Sequence, residues 1–197
     1  MKLKLIIQIL LVIVIGGLVY FIYTGIMSPV KFNNEMNSRR EVVIQKLKDI
    51  RTIQSMYITM NGKYCSTFDS LITFVKEGKM PLVKLSARPG DSTFTNPIRD
   101  TVGYVSIMDS LFSKRTDFNI DNLSHIPYSN YQNAPYDQFE MKVAVVNKGN
   151  VPVNVIEVFA ANKYFLKGLD LENNNIDPED GLRFGSLNDP STDGNWE

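Results

Sequence analysis

The sequence predicts an α+β protein in which an N-terminal transmembrane helix continues into an amphipathic stem helix, and the stem packs on an antiparallel sheet. Three observations carry this. Leu5 to Met27 is 23 residues without a charge. Val43, Leu47, Ile50, Ile53, Tyr57 and Met60 recur at intervals of three and four, which makes one apolar stripe on a helix. Phe139, Met141, Val143 and Val145 alternate with Glu140, Lys142 and Ala144, as in a half-buried strand. The expected divisions are a head over 1–4, a membrane anchor over 5–28, a stem over 29–61, a body over 62–168 and an acidic tail over 169–197.

The anchor comes first. At ~1.5 Å per residue its 23 uncharged residues reach roughly 34 Å, enough to cross a hydrocarbon core of ~30 Å. Tyr20 and Tyr23 lie near one end, where amphipathic rings favour the interface, and Pro29 marks a bend or a helix restart. A cleaved signal peptide would have a shorter apolar run and a small-x-small site, which "YTGIMSPV" does not offer. Lys2 and Lys4 precede the span, and Lys31, Arg39 and Arg40 follow it, offset by Glu35. A short head is easily kept inside, so the expected orientation places the body outside the cytoplasm. The location is then the inner membrane, with the C-terminal domain in the periplasm of a two-membrane cell. Gly16 and Gly17 would let another membrane helix approach closely.

The stem carries Arg39, Arg40, Lys46, Lys48 and Arg51 beside its apolar stripe. Asn61-Gly62 ends it, because glycine takes the left-handed conformation after a helix at little cost. Ser66, with Asp69 three residues on, is the expected cap of a second helix whose apolar face is Phe68, Leu71, Ile72 and Val75, stopped by Gly78. Cys65, in the corner between them, reads as a small buried hydrophobe.

The body begins with a proline-bearing loop over 79–98 that holds one short strand at Leu82–Leu85. A strand follows at Arg99–Met108, then a helical turn at Asp109–Phe112 and a turn-rich stretch around His125. The strongest local signal is the hairpin over 139–155. It has a tight turn at "NKGN", Lys148-Gly149 in the middle, and Val151, Val153 and Val155 on the return. Pro152 has no N–H and belongs at a sheet edge. Phe159, Tyr164, Phe165 and Leu166 are expected to extend the core.

Formal charge is zero, so no overall field draws nucleic acid. The charge is divided unevenly. Residues 170–197 hold eight acids and one base, −7, leaving 20 bases and 13 acids, +7, in the rest. A meeting of basic stem and acidic tail, within one chain or between copies, follows from that division, with Arg39 and Arg40 as candidate partner contacts. Trp196 suggests that the C-terminal segment is pinned by burial.

A single cysteine and a single histidine exclude an internal disulfide and a multi-cysteine or histidine-pair metal site. No Gly-rich phosphate loop, His-Glu-x-x-His or nucleophile elbow is present, so the sequence reads as non-enzymatic, with no cofactor. Calcium is the one ion worth weighing, since "LDLENNNIDPED" and "SLNDPSTDGN" offer oxygen ligands, without helix-loop-helix spacing.

The order of anchor, stem, glycine corner, short helix, sheet and C-terminal loop resembles type IV pilin-like proteins, among them the major pseudopilins of type II secretion. The residues that carry the likeness are Tyr57, Asn61, Gly62 and Tyr64 at the stem end, "FDSLITFV" after it, and Asp193, Gly194 and Trp196 in the closing "DGNW". The span holds no glutamate, where such proteins carry one near the start of the mature helix. The chain also looks like single-pass envelope proteins of Bacteroidota. The resemblance implies a structural or accessory subunit of an envelope assembly, with lipid and other envelope proteins or copies of itself as partners. It also implies calcium held by Asp189 and Asp193. The alternative is an anchored binding module for a peptide, a partner protein or calcium.

Overall fold

The computed structural model describes residues 2–87 and 98–197, so residues 88–97 of the expected proline-bearing loop lie outside the described residues. The architecture is α+β: one long N-terminal helix and two small antiparallel sheets.

Helix α1 runs from Lys2 to Asn61, 60 residues without interruption. The bend or restart expected at Pro29 does not occur as a break, because the helix continues through it. Proline removes one N–H donor, the bond it would have made to the carbonyl four residues back, and leaves the other helical bonds intact. The first half of α1 is bare. Its most apolar 18-residue window has a mean hydropathy of 2.9 and is 0 % buried, so this is a helix long and apolar enough to cross a membrane. The second half is the stem, and Val43, Leu47, Ile50 and Ile53 on its stripe are fully buried. The stripe fades toward the end, where Met60 is 40 % exposed.

Gly62 stops α1 at φ +72°, and its N–H closes on the Ile58 carbonyl at 2.8 Å. The chain turns at once. Buried Gln54 fixes the corner by accepting from the Cys65 N–H (3.0 Å) and donating to the Cys65 carbonyl (2.9 Å). Cys65 is buried there, as expected. Helix α2 spans Phe68–Glu77 and is capped by Thr67, one residue later than expected. No side chain bonds the free N–H groups of its first turn, so the Ser66/Asp69 capping box does not form. The Thr67 hydroxyl instead donates to Ser70 Oγ at 2.9 Å. The ring of Phe74 on α2 meets Tyr57 of the stem edge-on at 4.8 Å.

Strands β1 (Lys79–Ser86) and β2 (Ile98–Ser106) pair only with each other, with an irregularity between Leu82 and Val83. They form a ribbon rather than extending the main sheet. Helix α3 (Ile107–Phe112) follows β2 directly. The main sheet is β3 (Glu140–Lys148), β4 (Val151–Ala161) and β5 (Gly181–Gly185), in that order, with a short helix α4 (Asn162–Phe165) after β4. The β3–β4 turn centres on Gly149 and Asn150, both at positive φ (56° and 67°), not on Lys148-Gly149. A two-residue turn of this hand needs positive φ at both central positions, which glycine and asparagine tolerate and lysine resists.

Residues opposite each other in an antiparallel pair share a face, and Val143 faces Ile156 while Met141 faces Val158. The core face of the return strand is therefore Ile156, Val158 and Ala160, all at most 1 % exposed. The odd valines of the return, Val151, Val153 and Val155, lie on the opposite face, where Val151 is 59 % exposed and Val155 is buried. Pro152 sits at the end of β4 beyond the reach of β5, which pairs only with 157–161. The edge placement demanded by its missing N–H is met. Strand β5 and α4 then bring Leu182, Phe184, Phe165 and Leu166 against the stem stripe, all fully buried.

Candidate functional site

The stem organises the body through its basic residues as well as its apolar ones. Arg39 donates to the Lys167 carbonyl (3.0 Å) and to the Phe165 carbonyl (3.4 Å), pairs with Glu35 (2.7 Å), and lies 5.1 Å above the ring of Tyr128. Lys46 donates to the His125 carbonyl at 2.8 Å, and Arg51 to the Thr192 carbonyl at 3.1 Å. Each long cation takes a backbone carbonyl from a different segment, at the end of α4, in the turn-rich stretch and in the C-terminal loop. The expected meeting of basic stem and acidic tail thus exists within one chain, since Arg51 also pairs with Glu197 at 2.9 Å. The guanidinium of Arg39, a candidate partner contact, is occupied inside the chain. Arg40 is half-buried beside it.

Between the stem and residues 115–127 opens a cleft of about 440 Å³, lined by Gln45, Lys46, Asp49, Arg115, Asp117 and Asn122 among others. Asp49 is 7 % exposed; its Oδ1 accepts from Arg115 at 2.7 Å and from Gln45 at 3.0 Å. Burial pushes its carboxyl above the usual range, against the opposing pull of Gln45 and Arg115. Arg115 also grips Asp117 through two bonds (3.0 and 2.7 Å), and this holds the exposed Asp117 carboxyl below its usual range. Burial lowers Lys46 to about 8, partly offset by the nearby Asp49 charge. The arrangement is a polar network built around a buried acid, with the Lys46 amine at its edge. Cys65 lies elsewhere, in the α1–α2 corner.

The titration of Lys46 yields a test. Below about 8 both folded and unfolded chains hold its proton; between about 8 and the ordinary 10.5 only the unfolded chain does. Stability therefore rises with pH across that window, and the charged amine costs stability at neutral pH. Screening at a half-exposed site leaves an effect of about 1–2 kcal/mol. Urea unfolding of the parent and of Lys46→Met at pH 7 and pH 10 should show the parent gaining on the variant by this amount. Equal pH dependence would mean that Lys46 is solvated like any surface lysine.

The other candidate residues are dispersed. Asp189 pairs with Lys148 at 2.6 Å, and Asp193 accepts from the Ser191 hydroxyl at 2.8 Å. No group of three or more His, Cys, Asp or Glu side chains capable of holding a metal occurs among the described residues. Gly16 and Gly17 lie on the bare half of α1, and a Cβ at either would meet nothing within 4 Å. The C-terminal segment is pinned by backbone pairing on β5 as well as by its tryptophan. Gly185 N–H donates to Asp193 (2.9 Å), and Asn195 N–H to Arg183 (3.0 Å). Trp196 packs half-buried against the core, and its Nε1 finds no acceptor among the described residues.

Among the described residues, the β1–β2 ribbon also exposes apolar side chains, with Val102 61 %, Tyr104 69 % and Leu85 54 % exposed. The short strand expected at Leu82–Leu85 runs over Lys79–Ser86, and the strand expected at Arg99–Met108 runs over Ile98–Ser106, where α3 takes over; nothing in the sequence shows that the two stand apart from the main sheet. Comparison of the chain with protein-family models, with curated proteins and with solved structures found no match.

Proposed function

We propose that this chain is a non-enzymatic, single-pass membrane protein with a pilin-like extracytoplasmic domain, and that it works as a structural or accessory subunit of an envelope assembly. The observation that carries the reading is the continuity of α1. One 60-residue helix supplies both the bare apolar half and the buried spine of the body. Such a joint has no flexible linker, so the body is held at a fixed height and bearing relative to the membrane, as lateral assembly requires. The exposed ribbon supports the reading, because a two-stranded ribbon with apolar side chains on the surface is marginal alone in water and gains by being covered. The polar cleft beside Asp49 favours the rival reading of an anchored binding module.

Photo-crosslinking in the intact envelope tests the assembly. Benzoylphenylalanine at Val102 or Tyr104 should give adducts larger than the monomer, composed of this chain or of a second envelope protein. The same group at Lys63, beyond the stem end, should give far fewer. Monomer alone from all three positions would overturn the assembly reading and leave the binding module.

A further inference from the structure

We infer that the base of the body rests on the membrane that holds α1, with the Gly168–Asp170 loop and Tyr131 at the depth of the phospholipid headgroups. This rests on the reading of Leu5–Met27 as membrane-embedded. The loop Gly168, Leu169, Asp170 lines an open cleft with Lys31, Phe32 and Glu35, the first turn of α1 to carry charge after the apolar segment. The loop is therefore held level with that turn. From Met27 to Phe32 is five residues, roughly 7–8 Å along the helix, and the headgroup layer is roughly 5–8 Å deep on each side of the hydrocarbon. Arg39 binds the loop to the stem just above, through the Lys167 carbonyl.

The chemistry of the base fits that depth. Tyr131 is 47 % exposed, and its ring lies over Gly168, where a Cβ would come within 2.6 Å of it. Gly168 adopts φ +85°, so glycine is what permits the close seat of the ring. Exposed tyrosines beside a span are the residues that settle among headgroups. The charge on the base is mixed, with Lys31 beside Glu35 and Asp170. A zwitterionic phospholipid surface, which offers both phosphate and ammonium, satisfies both signs. An anionic surface would repel the loop.

The test uses the full chain in vesicles of phosphatidylcholine and phosphatidylethanolamine. In a Cys65→Ala background, single cysteines replace Asp170, Lys63 or Phe21, and each carries a small fluorescent dye. A nitroxide on the lipid headgroup should quench the dye at 170 by about twofold or more, and leave the dye at 63 nearly unchanged. Inserting seven residues after Val30 lifts the body by about 10 Å with nearly the same facing, and should abolish the quenching at 170. A dye at 170 that responds no more than one at 63, while a mid-acyl nitroxide still quenches the dye at 21, overturns the docking and leaves the anchor intact. Loss of quenching at 21 itself overturns the membrane reading on which the docking rests.

Discussion

Replacing Ile50 by Asp is expected to unfold the body that packs on the stem while leaving the chain in the membrane fraction. Ile50 is fully buried on the stem, in the cluster that includes Leu47, Phe184 and Leu182. Truncation of such a side chain alone costs about 2–5 kcal/mol, and a carboxylate without a partner costs more, either by desolvation or by forced protonation. The total is on the order of 5 kcal/mol or more, comparable with the whole stability of a domain of this size. The apolar half of α1 is untouched, since its membrane affinity comes from side chains that the body does not contact. Limited proteolysis of membranes should then degrade the variant body and spare a fragment that retains the apolar segment. Substitution at Lys48, exposed on the opposite face of the helix two residues away, should leave the body resistant. A protease-resistant Ile50→Asp body would show that the stem is not its spine.

The stem is the part of the architecture most legible in the sequence, because helical periodicity is local. Val43, Leu47, Ile50 and Ile53 repeat every three or four residues and all reach zero exposure. The hairpin is equally readable as an element, but its turn centre is not. A one-residue shift is decided by which residues accept positive φ, and Gly149-Asn150 outcompetes Lys148-Gly149. Strand β5 is missed for a different reason. "GLRFG" has two apolar residues, follows the acidic pair Glu179-Asp180, and becomes a strand only because β4 offers it an edge from Glu157 to Ala161.

The cleft is illegible for the same non-local reason. Asp49 and Arg115 are 66 positions apart, and nothing around either marks it as half of a buried pair. The basic stem residues are visible as charges and are expected to face partners or the tail. In the fold, Arg39, Lys46 and Arg51 are engaged largely by main-chain carbonyls, which carry no sequence signature. Charge counting therefore predicts a meeting of stem and tail, which Arg51 and Glu197 fulfil, but does not identify the carbonyls that hold most of the contact.

Replacing Gly185 by Ala is expected to detach the C-terminal segment from the body and to cost about 3 kcal/mol or more, combining the strain of a left-handed residue with a backbone overlap. Gly185 adopts φ +77°, and a Cβ there would stand 2.0 Å from the Ile156 carbonyl oxygen. That oxygen belongs to the central strand, so it cannot swing aside as a flexible side chain would. The chain must instead lift the end of β5. Lifting Gly185 breaks its N–H bond to Asp193, and with it the alignment that lets Asn195 bond Arg183 and Gly181. Arg51 then loses both the Thr192 carbonyl and Glu197, and Trp196 leaves its place on the core. Trp196 is the sole tryptophan, so its emission reports this sequence of losses directly. The variant should show red-shifted emission and faster quenching by iodide, with the far-ultraviolet helix signal of α1 retained. Gly149→Ala, at a turn where a Cβ meets nothing within 4 Å, imposes the left-handed strain without the overlap and should leave the emission unchanged. If both variants kept parental emission, β5 would be able to yield at Gly185 without releasing the C-terminal segment, and that segment would be held to the core by Trp196 rather than by the strand.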